Sequence, residues 1–415
     1  MKSVYIAHLQ FCFFGLLILS AKGFAEEAPQ DSRYLLSEQT YQVLADVHTM
    51  IEKEDYQEAL ATLHQLRPKL KGNSYELAVI DQNLGYVYHV TGDYPKAIAA
   101  FESAIRTNAL PSGVTHSLTY NLAQLLIYTK TYQDGLQYLN TWLKNETAPP
   151  PDAHILAASA YYQLDQYDEA IPHAETAVQQ AEQPNESWYQ LLLACYYQRS
   201  QYKNAATLLE EMIIQFRKER SYWLQLTGMY QRLKRDERAL AVLELAYSQD
   251  MLDEEDLLRL AQLYLYMQLP YKAGQLLATE IEQGRITKSK QNWELLANSW
   301  LLAQEMKQAA NALQQAAQLA DDSALFYRLG RIYLDLEQWD EAIAALQASI
   351  NSGELDDLAD AYLFLGIAAY RKGDHKLAMK AFKKAVTYNK TQTQADQWLQ
   401  QLVTEAELAP TDSTL

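Results

Sequence analysis

SAYYQLDQYDEA (residues 159–170) is followed thirty-five residues on by ACYYQRSQYKNA (residues 194–205), almost the same phrase. A recurrence at 20 to 50 residues decides the architecture before any finer reading, because it marks a unit that stacks on copies of itself. Aligned on the small residue near the end of the phrase, the chain gives Ala59, Ala97, Gly135, Ala170, Ala205, Ala239, Ala273, Ala309, Ala342 and Ala378, at steps of 33 to 38 residues. Eleven or twelve residues before each comes a second small or short position with an aromatic three residues on. Examples are Gly85/Tyr88, Ala158/Tyr161, Thr227/Tyr230, Ala261/Tyr264, Ala297/Trp300 and Gly330/Tyr333. Two helices that cross closely leave no room for a large side chain at the crossing, while Tyr and Leu three and four residues away fill the adjoining groove.

Leu84, Gly85, Tyr88, Ala97 and Phe101, and again Trp223, Leu226, Tyr230, Ala239 and Leu243, spell out the pattern in full. It resembles the tetratricopeptide signature, a helix-turn-helix unit of about 34 residues. The resemblance covers residues 34–390. It implies an all-α, right-handed superhelical solenoid of about ten units, closed by a C-terminal capping helix at 391–408 and a tail at 409–415.

A 415-residue chain is long for one compact core, but a solenoid escapes that limit because each unit packs only on its neighbours. The net charge of −17 argues against a nucleic-acid partner, since phosphate contacts are carried by Lys and Arg. Residues 1–25 read as a signal peptide. Lys2 opens them, FCFFGLLIL (11–19) forms an apolar run too short to span a bilayer, and Gly23-Phe24-Ala25 offers a small-x-small cleavage site. Export to the periplasm of a Gram-negative bacterium is expected, and loss of Lys2 and Lys22 would take the charge from −17 to −19. The mature chain then keeps only Cys195, read as a small buried core residue.

A polar lead (26–33) precedes the array. Two joints look longer than the rest, one at 148–152, where three prolines precede Asp152 as a cap for the next helix, and one at 284–291. Tyr56, Tyr94, Tyr132, Tyr167 and Tyr202 share one place at the start of the second helix, expected to pack on the following unit.

No HExxH, CxxC, Gly-rich phosphate loop or GxSxG is present, and the repeats leave no room for a catalytic domain, so no enzyme, cofactor or metal is expected. His48, His64, His89, His116, His154, His173 and His375 are scattered, with no i, i+4 pair to make a metal face. In tetratricopeptide arrays the first helix of each unit lines the concave groove. That rule implies a protein- or peptide-binding surface of Tyr86, Tyr120, Gln124, Tyr128, Tyr162, Gln163, Gln190, Tyr197, Gln198, Gln231, Arg232, Gln262, Tyr266 and Asn298. Tyrosine offers rigid amphipathic area, and amides pair with a peptide backbone. The Lys/Asn carboxylate clamp of chaperone-binding relatives is missing, since Asn298 has Glu294 a turn before it. Basic islands at Arg217–Arg238 and at Lys376, Lys380, Lys383 and Lys384 are read as solvated faces, with membrane contact only indirect or through such a patch.

Within the superfamily, YLLSEQTYQVLADVHTMI, PNESWYQLLLACYYQ, YKNAATLLEEMI, ERALAVLELAY and LPYKAGQLLATEIEQG resemble periplasmic repeat proteins found with TonB-ExbB-ExbD energy-transduction systems of gammaproteobacteria. That resemblance implies a non-enzymatic scaffold serving uptake, with TonB, ExbB or ExbD components or a receptor segment as partner. The alternatives are an adaptor in envelope assembly or polysaccharide export, and a regulator that positions an envelope enzyme.

Overall fold

A computed structural model of the chain describes residues 34–408, apart from residue 71 and residues 352–354. The expected signal peptide, polar lead and tail lie outside the described residues. Among the described residues the secondary structure is helical, as ten pairs and a final helix. In the first half the pairs are α1 (Glu38–Glu52) with α2 (Tyr56–Leu66), α3 (Ser74–Val90) with α4 (Tyr94–Arg106), α5 (Ser112–Tyr128) with α6 (Tyr132–Asn145), α7 (Pro151–Gln163) with α8 (Tyr167–Gln180) and α9 (Glu186–Gln198) with α10 (Tyr202–Gln215). The second half pairs α11 (Arg220–Arg232) with α12 (Asp236–Ser248), α13 (Glu254–Tyr266) with α14 (Pro270–Glu282), α15 (Lys290–Leu302) with α16 (Met306–Ala320), α17 (Ser323–Asp335) with α18 (Trp339–Asn351) and α19 (Leu358–Lys372) with α20 (His375–Ala385), and ends in α21 (Gln392–Leu408). The chain divides into two compact units, Met1–Gln215 and Phe216–Leu415. Within each, every helix packs on the next in sequence, which makes an all-α repeat solenoid.

The aligned small residues prove to be the fourth residue of every second helix, and all ten are buried. The first-helix glycines lie at the same crossings. A Cβ on Gly85 would stand 2.4 Å from the Phe101 ring, one on Gly330 2.6 Å from Leu346, and one on Gly366 2.4 Å from Phe382. These contacts are closer than carbon atoms tolerate, so the helices meet where the repeat spacing placed them.

Each pair is joined by the same turn. The second residue after each first helix is left-handed: Glu54, Gly92, Lys130, Asp165, Ser200, Lys234, Gln268, Gln304, Glu337 or, directly after α19, Gly373. The next N–H reaches back five residues, as in Asp93 to the Tyr88 carbonyl (2.8 Å), Gln201 to Tyr196 (2.8 Å) and Glu305 to Trp300 (2.9 Å). This Schellman-type closure satisfies carbonyls that the helix end would otherwise leave open.

Between repeats, the aromatic of the signature reaches back to the preceding second helix. Tyr196 donates to Glu175 at 2.5 Å and Tyr264 to Glu244 at 2.7 Å, Tyr161 accepts from Asn140 at 2.8 Å, and Tyr88 meets His64 at 2.6 Å. All four partners are the ninth residue of their helix. Buried acids are held at other junctions. Asp81 accepts from Arg67 (2.5 Å) and Ser103 (2.6 Å), and Glu280 accepts from Tyr247 (2.6 Å) with Arg285 at 3.0 Å. Such charges are tolerated inside because each has both an opposite charge and a donor.

Asp152 does not cap α7. Pro150 holds the cap position and Asp152 lies in the first turn, because the proline run already sets the extended backbone that a helix start requires. At the second expected joint, Ile286 is fully buried, Thr287 bonds Glu254 through its N–H (2.9 Å) and hydroxyl (2.8 Å), and Ser289 caps α15. The shared helix-start tyrosines divide: Tyr94 meets Tyr128 of the next pair edge-on at 5.3 Å, whereas Tyr167 turns to Tyr162 of its own pair and donates to Asp165 at 2.5 Å. On α21, Trp398 stacks on Phe382 at 5.8 Å and closes the last pair.

Candidate interaction surfaces

The first helices of neighbouring pairs touch directly, α5 with α7, α7 with α9 and α17 with α19. Their exposed residues are therefore brought side by side. In the first unit, Tyr120 stacks on Trp142 at 4.3 Å, and burial, with Asp152 nearby, pushes its hydroxyl up to about 12. Gln124, one turn on, hydrogen-bonds Tyr120. Tyr86 is half-buried against the core formed by α1 to α5, and Gln190 donates to Glu186 at 3.4 Å. Tyr197 is half-buried, and Gln198 is exposed.

Tyr162 departs from the expectation of a residue open to a ligand. It is 5% exposed, with its ring edge-on to Tyr167 at 5.5 Å. The neighbouring Tyr161 also packs, stacked on His173 of its own pair and bonded to Asn140 of the pair before. In the second unit, Gln231, Arg232, Gln262 and Asn298 are exposed, and Asn298 accepts from Arg328 at 2.8 Å.

The expected residues do not form one row: Tyr120 and Gln190 lie ten residues before the left-handed turn residue, and Tyr162, Tyr197 and Gln231 three before it. Tyr86, Gln124, Gln262 and Asn298 sit in mid-helix, six residues before the left-handed turn residue. Tyr128, Gln163, Gln198, Arg232 and Tyr266 are each the last residue of their helix. The latter lie at the turns of their own units, and Tyr128 and Tyr266 are 48% and 70% exposed there.

The histidines are not all solitary. Nδ1 of His154 on α7 lies 3.0 Å from Nδ1 of His173 on α8, with ring centroids 5.2 Å apart. The centroid separation is close to the N···N distance plus one ring radius at each end, so the two nitrogens meet head-on, as in an N–H···N hydrogen bond. Burial pushes His173 down to about 4, with His154 adding to the effect. A search for i, i+4 spacing looks along one helix and misses a pair formed across two. Among the described residues, no group of three or more His, Cys, Asp or Glu converges as a metal site would need. Cys195 is fully buried, its thiol pushed up to about 12 by desolvation, as a core residue's would be. The lysines of α20, Lys376, Lys380, Lys383 and Lys384, are all exposed. No described helix is long and apolar enough to cross a membrane.

The tetratricopeptide repeat family profile matches residues 83–154, 120–187, 155–219 and 327–396. Together with the repeated helix pairs, this makes the chain a tetratricopeptide repeat protein. No curated protein matches it. Among solved structures it is similar to a tetratricopeptide repeat protein from Parabacteroides merdae, with 15% identity, 63% of this chain and 99% of that chain covered, and a TM-score of 0.36. It is similar also to the TPR2AB domain of yeast Sti1 in complex with pHSP90 (15% identity, 61% and 98% covered, TM-score 0.32) and to MamA (26% identity, 39% and 93% covered, TM-score 0.31).

Proposed function

We propose that this protein is a non-enzymatic periplasmic scaffold that holds a segment of a TonB-type energy-transduction system, either a TonB, ExbB or ExbD component or a receptor segment. The observation that carries the binding reading is the mid-helix row on the first helices. In the first unit Gln124 sits against Tyr120 on α5, which touches α7, and in the second unit Gln262 and Asn298 hold the same mid-helix register and are exposed, so each unit offers amides able to pair with a peptide backbone. The assignment to an uptake system rests on the family wording of the sequence, and the export on the composition of residues 1–25.

Photo-reactive residues at Gln124 and Gln262, with controls at the exposed second-helix positions Gln137 and Lys203, test the reading in intact cells. Capture of a TonB, ExbB or ExbD component from the first-helix positions alone supports it. Capture of an envelope-assembly factor or a synthase from those positions replaces the uptake role with an adaptor or a regulator. Capture from the second-helix controls alone removes the row as the binding surface.

A further inference from the structure

The last residue of each first helix, together with the turn that follows, forms one edge of the second unit, because successive pairs are stacked with their turns at the same end. Contacts across that edge join one turn to the next: Tyr271 meets Trp300 edge-on at 5.5 Å, and Lys372 pairs with Asp340. Along it the chemistry changes in order. The turn after α11 and the first residues of α12 present Arg232, Lys234, Arg235 and Arg238 against Asp236 and Glu237, a net positive stretch. The next two turns present Tyr266 (70% exposed), Leu269 (37%), Tyr271 (49%), Leu302 (65%) and Met306 (36%). The turn after α17 then presents Asp335, Glu337 and Glu341, again exposed. In the middle stretch Lys272 is neutralised by Glu244 at 2.9 Å, and Glu305 stands two residues from Lys307.

Large apolar side chains held at the surface of neighbouring turns are costly in water and mark contact sites when they are contiguous. The helical residues flanking these turns spend their backbone groups within the helices and turn closures, so this edge has no open strand to pair with an extended peptide. A partner with its own backbone bonds satisfied, a helix, fits better. A stack of helix pairs advances by roughly one helix spacing, about 8–10 Å, per repeat, so four successive turns cover about 30 Å, the length of a helix of roughly twenty residues.

We propose that this edge is a docking surface, separate from the first-helix row, for an amphipathic helix of another protein. That helix carries acidic residues at the end facing Lys234 and Arg235, an apolar stripe over Tyr266 and Leu302, and basic residues at the end facing Asp335 and Glu337. The order of charge fixes its direction as well as its position, because the reversed helix would set like charges together at both ends.

The test uses two synthetic twenty-residue amphipathic helices with the same apolar stripe, one acid-first and one with its charges reversed, titrated by fluorescence anisotropy against the full mature chain. The acid-first peptide is expected to bind at least about tenfold more tightly than the reversed one, and to lose about tenfold or more against Tyr266→Ser/Leu302→Ser. Both substituted side chains are largely exposed, so circular dichroism of that variant is expected to be unchanged. Exchange of the end charges (Lys234→Glu/Arg235→Glu with Asp335→Lys/Glu337→Lys) is expected to swap the preference between the peptides. Equal binding of both peptides, or binding unaffected by the serine variant, overturns the proposal. So does self-association in sedimentation velocity that the serine variant abolishes, or flotation with anionic phosphatidylglycerol vesicles that it abolishes, since the occupant would then be a second copy or a lipid surface.

Discussion

At a helix crossing, one methyl group decides whether two helices can meet. Gly366 faces the fully buried Phe382 ring, which an added Cβ would meet at 2.4 Å. Gly366→Ala is expected to destabilise by about 1–3 kcal/mol in urea denaturation, as overpacking does, and a second change, Phe382→Leu, should recover part of that loss by making room. The turn residues act in the opposite sense. Eight of the ten left-handed turn positions are not glycine, Lys130 at φ 65° among them. A non-glycine residue in that region costs about 1–2 kcal/mol, part of which glycine gives back through its freer unfolded chain. Lys130→Gly is therefore expected to raise stability by about 0.5–1 kcal/mol, seen as a higher denaturation midpoint with an unchanged slope. The small-residue positions were legible in the sequence because sterics leave few residues able to occupy them. The left-handed positions were not, since Glu, Lys, Gln, Asp and Ser stand there in place of the glycine that would have announced them.

Pairs of elements carry what no single helix shows. His173 on α8 is held low by burial and by His154 on α7, and its folded value of about 4 lies below the ordinary 6.5. A group depressed in this way contributes stability that is present above about pH 6.5 and lost as the pH falls towards 4, because the unfolded chain takes up the proton first. Two Nδ1 atoms meeting head-on can hold only one proton in the gap between them, and a second proton there would set two N–H groups against each other. Thermal unfolding followed from pH 7.5 to 5 is expected to show wild type losing roughly 1–2 kcal/mol more than His173→Phe, after allowance for partial solvent screening. Parallel loss in both proteins would assign the pH dependence to other groups. Here the reading of the sequence fell short for a geometric reason, since residues 154 and 173 are neighbours only once α7 and α8 have folded together. Tyr162 misled for a related reason: helical spacing places it on the first helix, but the ring of Tyr167 across the turn covers it.

On the scale of the whole chain, periodicity made the helix pairs legible from end to end, because a repeated steric rule averages out local ambiguity. Division into two units was not legible, as it lies between α10 and α11 with no proline run or glycine cluster to mark it. Residues 34–215 expressed alone are expected to fold as a helical, cooperatively melting fragment. A fragment ending at Gln163, which leaves α7 without α8, is expected to melt at lower temperature by circular dichroism.

The contact between Trp300 and Gly274 has a consequence for how such a chain can change over generations. Trp300 is the largest of the signature aromatics, and it lies over the one second helix that offers glycine at its fifth position, where a Cβ would stand 2.7 Å from the indole. The corresponding residue of α12 is Leu240. Unequal recombination that removed α13 and α14 would preserve the reading frame, the period and every turn, yet it would bring an indole onto a leucine. It would also deprive Glu244 of the Tyr264 hydroxyl. Lock-and-key matches of this kind turn interchangeable modules into an ordered series, so the number and sequence of repeats become heritable features that slippage of the gene cannot readily alter.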